Sequence, residues 1–232
     1  LSSIQLNNLE RGFSFKSKGN LDMSMGLGNT SATEVLNNFT EQKLKSIIKI
    51  LGEEKDASRI AKNIVRMRKE KKITNVDQLV EIIKRSKKKN YISKINPCTK
   101  TFQALRIFVS KEITELIEGI ANAAKALKPG GKIIIVSFHS LEDRVVKYFF
   151  SNFSTSKSKS SRYFPDIEED SMSLFDSYKN KIFKPSNAEI NKNPPSRSAK
   201  LRFAIRNKDK FFYPKDLLSK FKKYLDLESS HV

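Results

Sequence analysis

Hydrophobic positions follow helical spacing over most of the first half of the chain. From Thr40, residues Leu44, Ile47, Ile48 and Leu51 recur at helical intervals and Gly52 follows as a stop, which predicts one amphipathic helix. A second is predicted after Asp56, a candidate cap, with Ala57, Ile60, Ala61, Ile64 and Val65 as its apolar stripe. On another face of it Arg59, Lys62, Arg66 and Lys69 form a cationic rail. Thr74 and Asp77 approximate a capping box before Val76, Leu79, Val80 and Ile83, predicting a third helix that runs into the basic stretch from Lys84 to Lys89. After Asn96-Pro97, one long helix is predicted through Phe102, Leu105, Val109, Ile113, Leu116, Ile117, Ile120, Ala124 and Leu127, ending at Lys128-Pro129-Gly130-Gly131.

The pattern then changes. Lys132 to Phe138 is a β-branched run without polar alternation, as expected of a strand covered on both faces in a parallel sheet. Ser140 with Asp143 predicts a capping box ahead of Val145, Val146, Phe149 and Phe150. His139 and Ser140 therefore fall where strand becomes helix, the ligand-binding edge of open α/β sheets. Arg197 to Arg206 alternates, with Ala199, Leu201, Phe203 and Ile205 on one face and Lys200, Arg202 and Arg206 on the other, which reads as a strand with one wet, basic side. Leu217, Leu218, Phe221, Tyr224 and Leu225 predict a terminal docking helix. Residues 1–30, punctuated by Gly12, Gly19, Gly26 and Gly28, read as loop. Residues 151–195, with a Ser/Lys tract and four prolines, read as a mobile excursion with little core.

Composition narrows the function classes. The 232 residues carry 45 Lys+Arg against 25 Asp+Glu, a net charge of +20, which points to a polyanionic partner, nucleic acid first, although Lys enrichment also serves solubility. Hydrophobic residues at 38% can build a core, no run reaches the roughly 18 apolar residues of a membrane span, and no secretory layout opens the chain. These features predict a soluble, cytoplasmic protein with no membrane partner. A single cysteine, Cys98, and two histidines argue against a disulfide framework or a metal site, and Cys98 is expected to be a buried, inert thiol. No Walker loop, G-x-G-x-x-G, G-x-S-x-G or H-E-x-x-H is present.

The segments SSIQLNNLERGFSF, LDMSM, GEE followed by RIAKNIV, TFQALRI, PGGKIIIVSFHSLEDRVVK and NPPSRSAKLR stand in this order from Leu1 to about Arg206. Together they resemble the family of bacterial ribosomal RNA small-subunit methyltransferase H, which transfers a methyl group from S-adenosylmethionine to the N4 of a decoding-site cytosine in 16S rRNA. The resemblance implies an α/β, Rossmann-like S-adenosylmethionine-dependent methyltransferase core with an inserted small helical domain. Residues 1–29 and 97–232 would belong to the core, and 30–96 would be the helical insertion facing RNA. It implies the small ribosomal subunit as partner and leaves the oligomeric state open, a homodimer included. Family members begin with a further stretch that includes a Gly-Gly-His loop and an acidic ribose-binding position. This chain, starting at Leu1, is thus expected to be the C-terminal part of a longer enzyme. The family pattern D-G-P-L-D-M-R-M-D departs here to Lys18 through Gly26, with Ser24 in place of Arg and Gly26 in place of Asp.

On this resemblance Gln5 and Ser2 are the cofactor-binding candidates, an amide being suited to the polar edge of the methionine or adenosine moiety. The catalytic candidates are His139, Ser3 and Asp143. Cytosine N4 is a poor nucleophile, so acceptors must hold its N–H groups and a proton must leave. Ser140 and Asp143 read first as caps of the helix that follows. Arg11, Phe13 and Phe15 combine a cation with stacking rings for a splayed base, or else form a hydrophobic staple. Arg59, Lys62, Arg66, Arg144, Arg197, Lys200 and Arg202 are the candidate phosphate contacts. The alternative is a non-catalytic RNA-binding module.

Overall fold

The computed structural model describes residues 11–25, 30–87, 96–155 and 173–230. Two compact units compose it, one of Leu1–Ile113 with Lys223–Val232 and the other of Thr114–Lys222.

The first unit is helical. Helix α1 (Ala32–Asn38) starts in a capping box, Ser31 with Glu34, and α2 (Glu41–Ile50) starts at Thr40, whose hydroxyl accepts from the Lys43 amide. Helix α3 (Ala57–Glu70) buries Ile60, Ala61 and Ile64, each isoleucine contributing about 1.5–3 kcal/mol, and leaves Arg59, Lys62, Arg66 and Lys69 exposed. The expected rail is therefore present as a surface. Asp56 makes no side-chain cap; its carboxylate pairs with Arg59 and lies 3.5 Å from the Lys87 ammonium. Burial works to raise the Asp56 carboxyl, and these two cations outweigh it and hold the pKa below the usual range. Helix α4 (Val76–Ser86) is capped by Asn75 with Gln78 rather than by Thr74 with Asp77. The sequence offers both pairs at the same spacing, and Gln78 also accepts from the Thr74 amide at 2.8 Å, which favours the one observed. Lys88 and Lys89 lie outside the described residues.

The long helix predicted through Leu127 is two helices, α5 (Thr99–Ser110) and α6 (Glu112–Ala126). Lys111 between them is left-handed at φ 49°. Arg106 braces the break with two bonds to Glu112, of 2.6 and 3.1 Å, and the buried carboxylate of Glu228 accepts from the Ile113 amide at 3.0 Å. The apolar stripe keeps its phase across the break, so periodicity did not reveal it. Gly52, after α2, is required by close approach, since a Cβ there would lie 2.4 Å from the Lys100 carbonyl oxygen.

In the second unit β1 (Lys132–Ser137) pairs antiparallel with β2 (Lys200–Ile205), not in parallel with another strand, and this two-stranded sheet is the only one among the described residues. Helix α7 (Ser140–Asn152) packs on one face through Leu141, Val145, Val146, Phe149 and Phe150. The 151–195 stretch contributes core after all. Phe175 is fully buried and meets Phe149 and Phe150 edge-on at 5.2 and 5.4 Å, contacts worth about 0.5–1.5 kcal/mol each beyond area burial. Residues 156–172 of that stretch lie outside the described residues. Helix α8 (Asn187–Lys192) and a 3₁₀ turn, Pro194–Ser198, lead into β2, and α9 (Lys215–Ser229) is the predicted terminal helix, burying Leu217, Phe221 and Tyr224. Among the described residues no helix is long and apolar enough to cross a membrane.

The faces of β2 are the reverse of those predicted. Arg202 and Ala204 point to the buried side with Ile133 and Ile135 of β1, while Phe203 stands opposite Ile134 on the open side. The rule that cations face water fails here because each guanidinium meets acceptors inside. Arg206 donates to the carbonyls of Ala124, Leu174, Asn207 and Asp209.

Candidate functional site

The end of β1 and the first turn of α7 make a polar corner inside the second unit. Helix α7 needs acceptors for its first amides, and the chain supplies His139 and Glu142. His139 Nδ1 accepts from the Glu142 amide at 3.3 Å, and Glu142 Oε2 accepts from the amides of Phe138 at 2.8 Å and His139 at 3.3 Å. His139 Nε2 faces Glu142 Oε1 at 3.3 Å. The capping box is thus His139 with Glu142 and not Ser140 with Asp143. Burial works to raise the Glu142 carboxyl, but the hydrogen bond from the His139 ring and the two backbone amides outweigh it and hold the pKa at about 2.

Asp143 is unavailable as a cap because other groups take it. Arg202 Nε donates to Oδ1 at 2.7 Å and Nη2 to Oδ2 at 3.2 Å, and Lys200 Nζ donates to Oδ2 at 3.0 Å. Burial raises the Asp143 carboxyl and these two cations more than reverse it, so the pKa lies below the usual range. Arg202, 2% exposed, also donates through Nη1 to the Tyr178 hydroxyl at 2.8 Å and to Asn180 Oδ1 at 2.9 Å. It is therefore not an open phosphate contact, and Lys200, bonded to Asp143, is a bracing group. Tyr178, Asn180 and the capping role of Glu142 were missed from sequence. Tyr178 and Asn180 stand in an aperiodic stretch, and the one available signal was that Arg202 alternates in phase with Ala204 on β2.

The other candidates are distributed. In the first unit Arg11 is exposed, 3.7 Å from Asp22 and 5.9 Å from the centroid of Phe13. Phe13 itself is buried, so its ring is not presented to a base, and Phe15 packs edge-on against Phe102 at 6.2 Å. Gly12 between them has φ +71°, and a Cβ there would sit 2.4 Å from the Asn20 carbonyl oxygen, which restricts this turn to glycine. Ser24, where the family pattern has Arg, donates to Asp22 instead, at 2.8 Å to Oδ1. In the second unit Arg144 and Arg197 are exposed. Cys98 is buried, and burial pushes its thiol up against the smaller opposing pull of Lys84 and Lys87.

Ser2, Ser3 and Gln5, and the substituted Gly26, lie outside the described residues. At the sheet edge the amides of Phe138 and His139 are already given to Glu142, so this helix start does not offer them to a cofactor carboxylate. The described residues on their own do not compose a cofactor site.

Residues 1–207 match the model of the MraW methylase family. The chain belongs to the MraW methylase family. Its MraW relatives include proteins named ribosomal RNA small subunit methyltransferase H. That of Caulobacter vibrioides is 41% identical over 206 residues, which is 89% of this chain and 66% of the relative. Those of Bartonella bacilliformis and Afipia carboxidovorans are 43% and 44% identical over the same length, covering 62% and 61% of the relatives. This MraW chain thus spans less than two thirds of the length of the curated relatives it matches. The polar corner falls within the matched segment.

Proposed function

We propose that this chain is part of an S-adenosylmethionine-dependent methyltransferase that modifies the N4 amino group of a decoding-site cytosine in 16S rRNA, in the cytoplasm, on a Rossmann-like core with a helical insertion at 30–96. The names of its relatives support the reaction class. The observation that carries the site is the His139–Glu142 pair, set where β1 gives way to α7 and held by a half-buried, ionised carboxylate.

S-adenosylmethionine supplies the methyl group when bound, with Gln5 and Ser2 as its proposed contacts. The chain's own groups meet the amino group. The bond from the Glu142 amide to His139 Nδ1 is long at 3.3 Å, so a cytosine N–H can replace it at modest cost, which makes this nitrogen the proposed acceptor. Glu142 keeps the ring at the corner from its other side, as the carboxylate partner of a catalytic imidazole does. Asp143 acts as a positioning residue, tying the first turn of α7 to β2 through Arg202 and Lys200. Ser3 remains a catalytic candidate on resemblance alone. Arg11, Arg59, Lys62, Arg66, Arg144 and Arg197 are the proposed phosphate contacts, and Phe15 is the proposed stacking ring.

The test is methylation of unmodified small subunits by a protein of full family length carrying this chain, followed by nuclease digestion and mass spectrometry. N4-methylcytidine at a single site is expected. Methyl groups on another base or another atom, or none at all, would overturn the reading.

A further inference from the structure

Asp56 precedes α3 yet caps nothing, and its carboxylate belongs instead to a cluster of charges with Glu54, Arg59 and Lys87. The Asp56 backbone amide donates to Glu54 Oε1 at 3.0 Å, and Glu54 Oε2 lies 2.6 Å from the Lys87 ammonium, which also stands 3.5 Å from Asp56 Oδ2. The other oxygen of Asp56 pairs with Arg59. Burial grades the cluster. The side chains of Glu54 and Lys87 are 2% and 5% exposed, that of Asp56 16% and that of Arg59 45%. Arg59 is therefore the member that can turn into water, and its departure does not orphan the carboxylate, because Lys87 stays beside it. Lys62, Arg66 and Lys69, which complete the rail, have no ion-pair partner among the described residues, so Arg59 alone of the four is held by an internal anion.

We propose that Arg59 is a gated phosphate contact: Asp56 holds it in the free protein, RNA takes it by exchanging a phosphate for the carboxylate, and Lys87 keeps Asp56 in place when it goes. The proposal rests on the reading of α3 as an RNA-binding rail. A guanidinium makes the same forked, charge-assisted bonds to a phosphate as to a carboxylate, so the exchange replaces one partner by another of like geometry. The pair joins neighbouring turns of one helix and its arginine is half open to solvent, where such bonds are weak enough to be given up. The gate also discriminates. An isolated phosphate offers Arg59 little that Asp56 does not, whereas an extended backbone already engaged by Lys62, Arg66 and Lys69 brings its next phosphate at high effective concentration. Asp56 thus favours a polyanion over a small anion.

The experiment is a double-mutant cycle on the binding of a fluorescently labelled 16S rRNA fragment, at fixed salt, by a protein of full family length carrying this chain. Circular dichroism checks the fold of each variant. Asp56→Asn keeps the shape of the side chain and should tighten binding by about fivefold, and Arg59→Gln should weaken it. With Arg59→Gln present, Asp56→Asn should have almost no effect. Glu54→Gln with Lys87→Met removes the buried pair together, out of reach of RNA, and should weaken binding by about fivefold, since Asp56 would then depend on Arg59 alone. Tightening by Asp56→Asn of the same size with and without Arg59 would overturn the proposal, making Asp56 a carboxylate that merely repels RNA. Unchanged binding in Asp56→Asn, where Arg59→Gln still weakens it, would overturn the gate and leave the rail standing. Binding indifferent to Arg59→Gln would overturn the gate together with the place of Arg59 in the rail.

Discussion

Arg202 and Asp143, fifty-nine residues apart in sequence, form a two-pronged ion pair beneath the strand-to-helix corner, with bonds of 2.7 and 3.2 Å and the arginine almost wholly buried. A charge this deep is tolerated only with its partner, so removing one member leaves the other uncompensated. Arg202→Ala and Asp143→Ala should each cost about 3–5 kcal/mol in urea denaturation, whereas the double change Asp143→Leu with Arg202→Met should cost much less than the sum of the two. Additive losses would mean that the pair does not brace the corner.

The same corner predicts acid sensitivity. Glu142 falls from its ordinary 4.5 to about 2 on folding, and Asp143 is also lowered. A carboxyl lowered in the folded state contributes stability that is present above its unfolded pKa and is lost as pH falls through the folded one. Thermal stability followed by circular dichroism should therefore be steady from neutrality to about pH 4.5 and decline from there towards pH 2. Glu142→Gln keeps the capping geometry but does not titrate, and should flatten part of that decline. An unchanged profile in the variant would remove Glu142 from the account.

The rail on α3 predicts salt-dependent RNA binding. Binding of 16S rRNA fragments should weaken steeply with salt, and Arg59→Glu, Lys62→Glu and Arg66→Glu together should flatten the slope of log K against log[salt] by about 2–3, as loss of three phosphate contacts does. An unaltered slope would leave these residues as a solvated helix face.

Ser140 provides a contrast within the corner. Since the cap is His139 and not Ser140, Ser140→Ala should change stability by no more than about 0.5 kcal/mol and leave turnover nearly intact. A loss of the size expected for a cap, about 1 kcal/mol, would contradict the assignment.

What could be read from the chain was whatever a single element decides alone. The stripe and the rail of α3 need only one helix and the contrast between water and core, so Ile60 and Arg59 were placed by spacing. The caps were displaced by one residue because Thr74 and Asn75, and likewise His139 and Ser140, each begin a plausible box. Only long-range bonds choose between them, as when Arg202 takes Asp143 away from Ser140. The faces of β2 were inverted for the same reason, since the partner that lets Arg202 be buried lies on another element. The break at Lys111 left no trace because Ile113 continues the apolar phase, and Tyr178 and Asn180 lie where no period exists. The family motif around PGGKIIIVSFHSLEDR located the corner, while the division of labour among His139, Glu142 and Asp143 needed the structure.

The His139 imidazole is proposed to act in the chemical step and not merely to cap α7. Asparagine caps helices as well as any residue, so His139→Asn separates the two roles. The decisive measurement is single-turnover methyl transfer to small subunits by this variant in a protein of full family length, with thermal stability measured alongside. Stability close to that of the parent is expected, with a rate lowered by about 10²–10⁴ and little change in substrate affinity. A variant that is equally stable and methylates at the parental rate would contradict it.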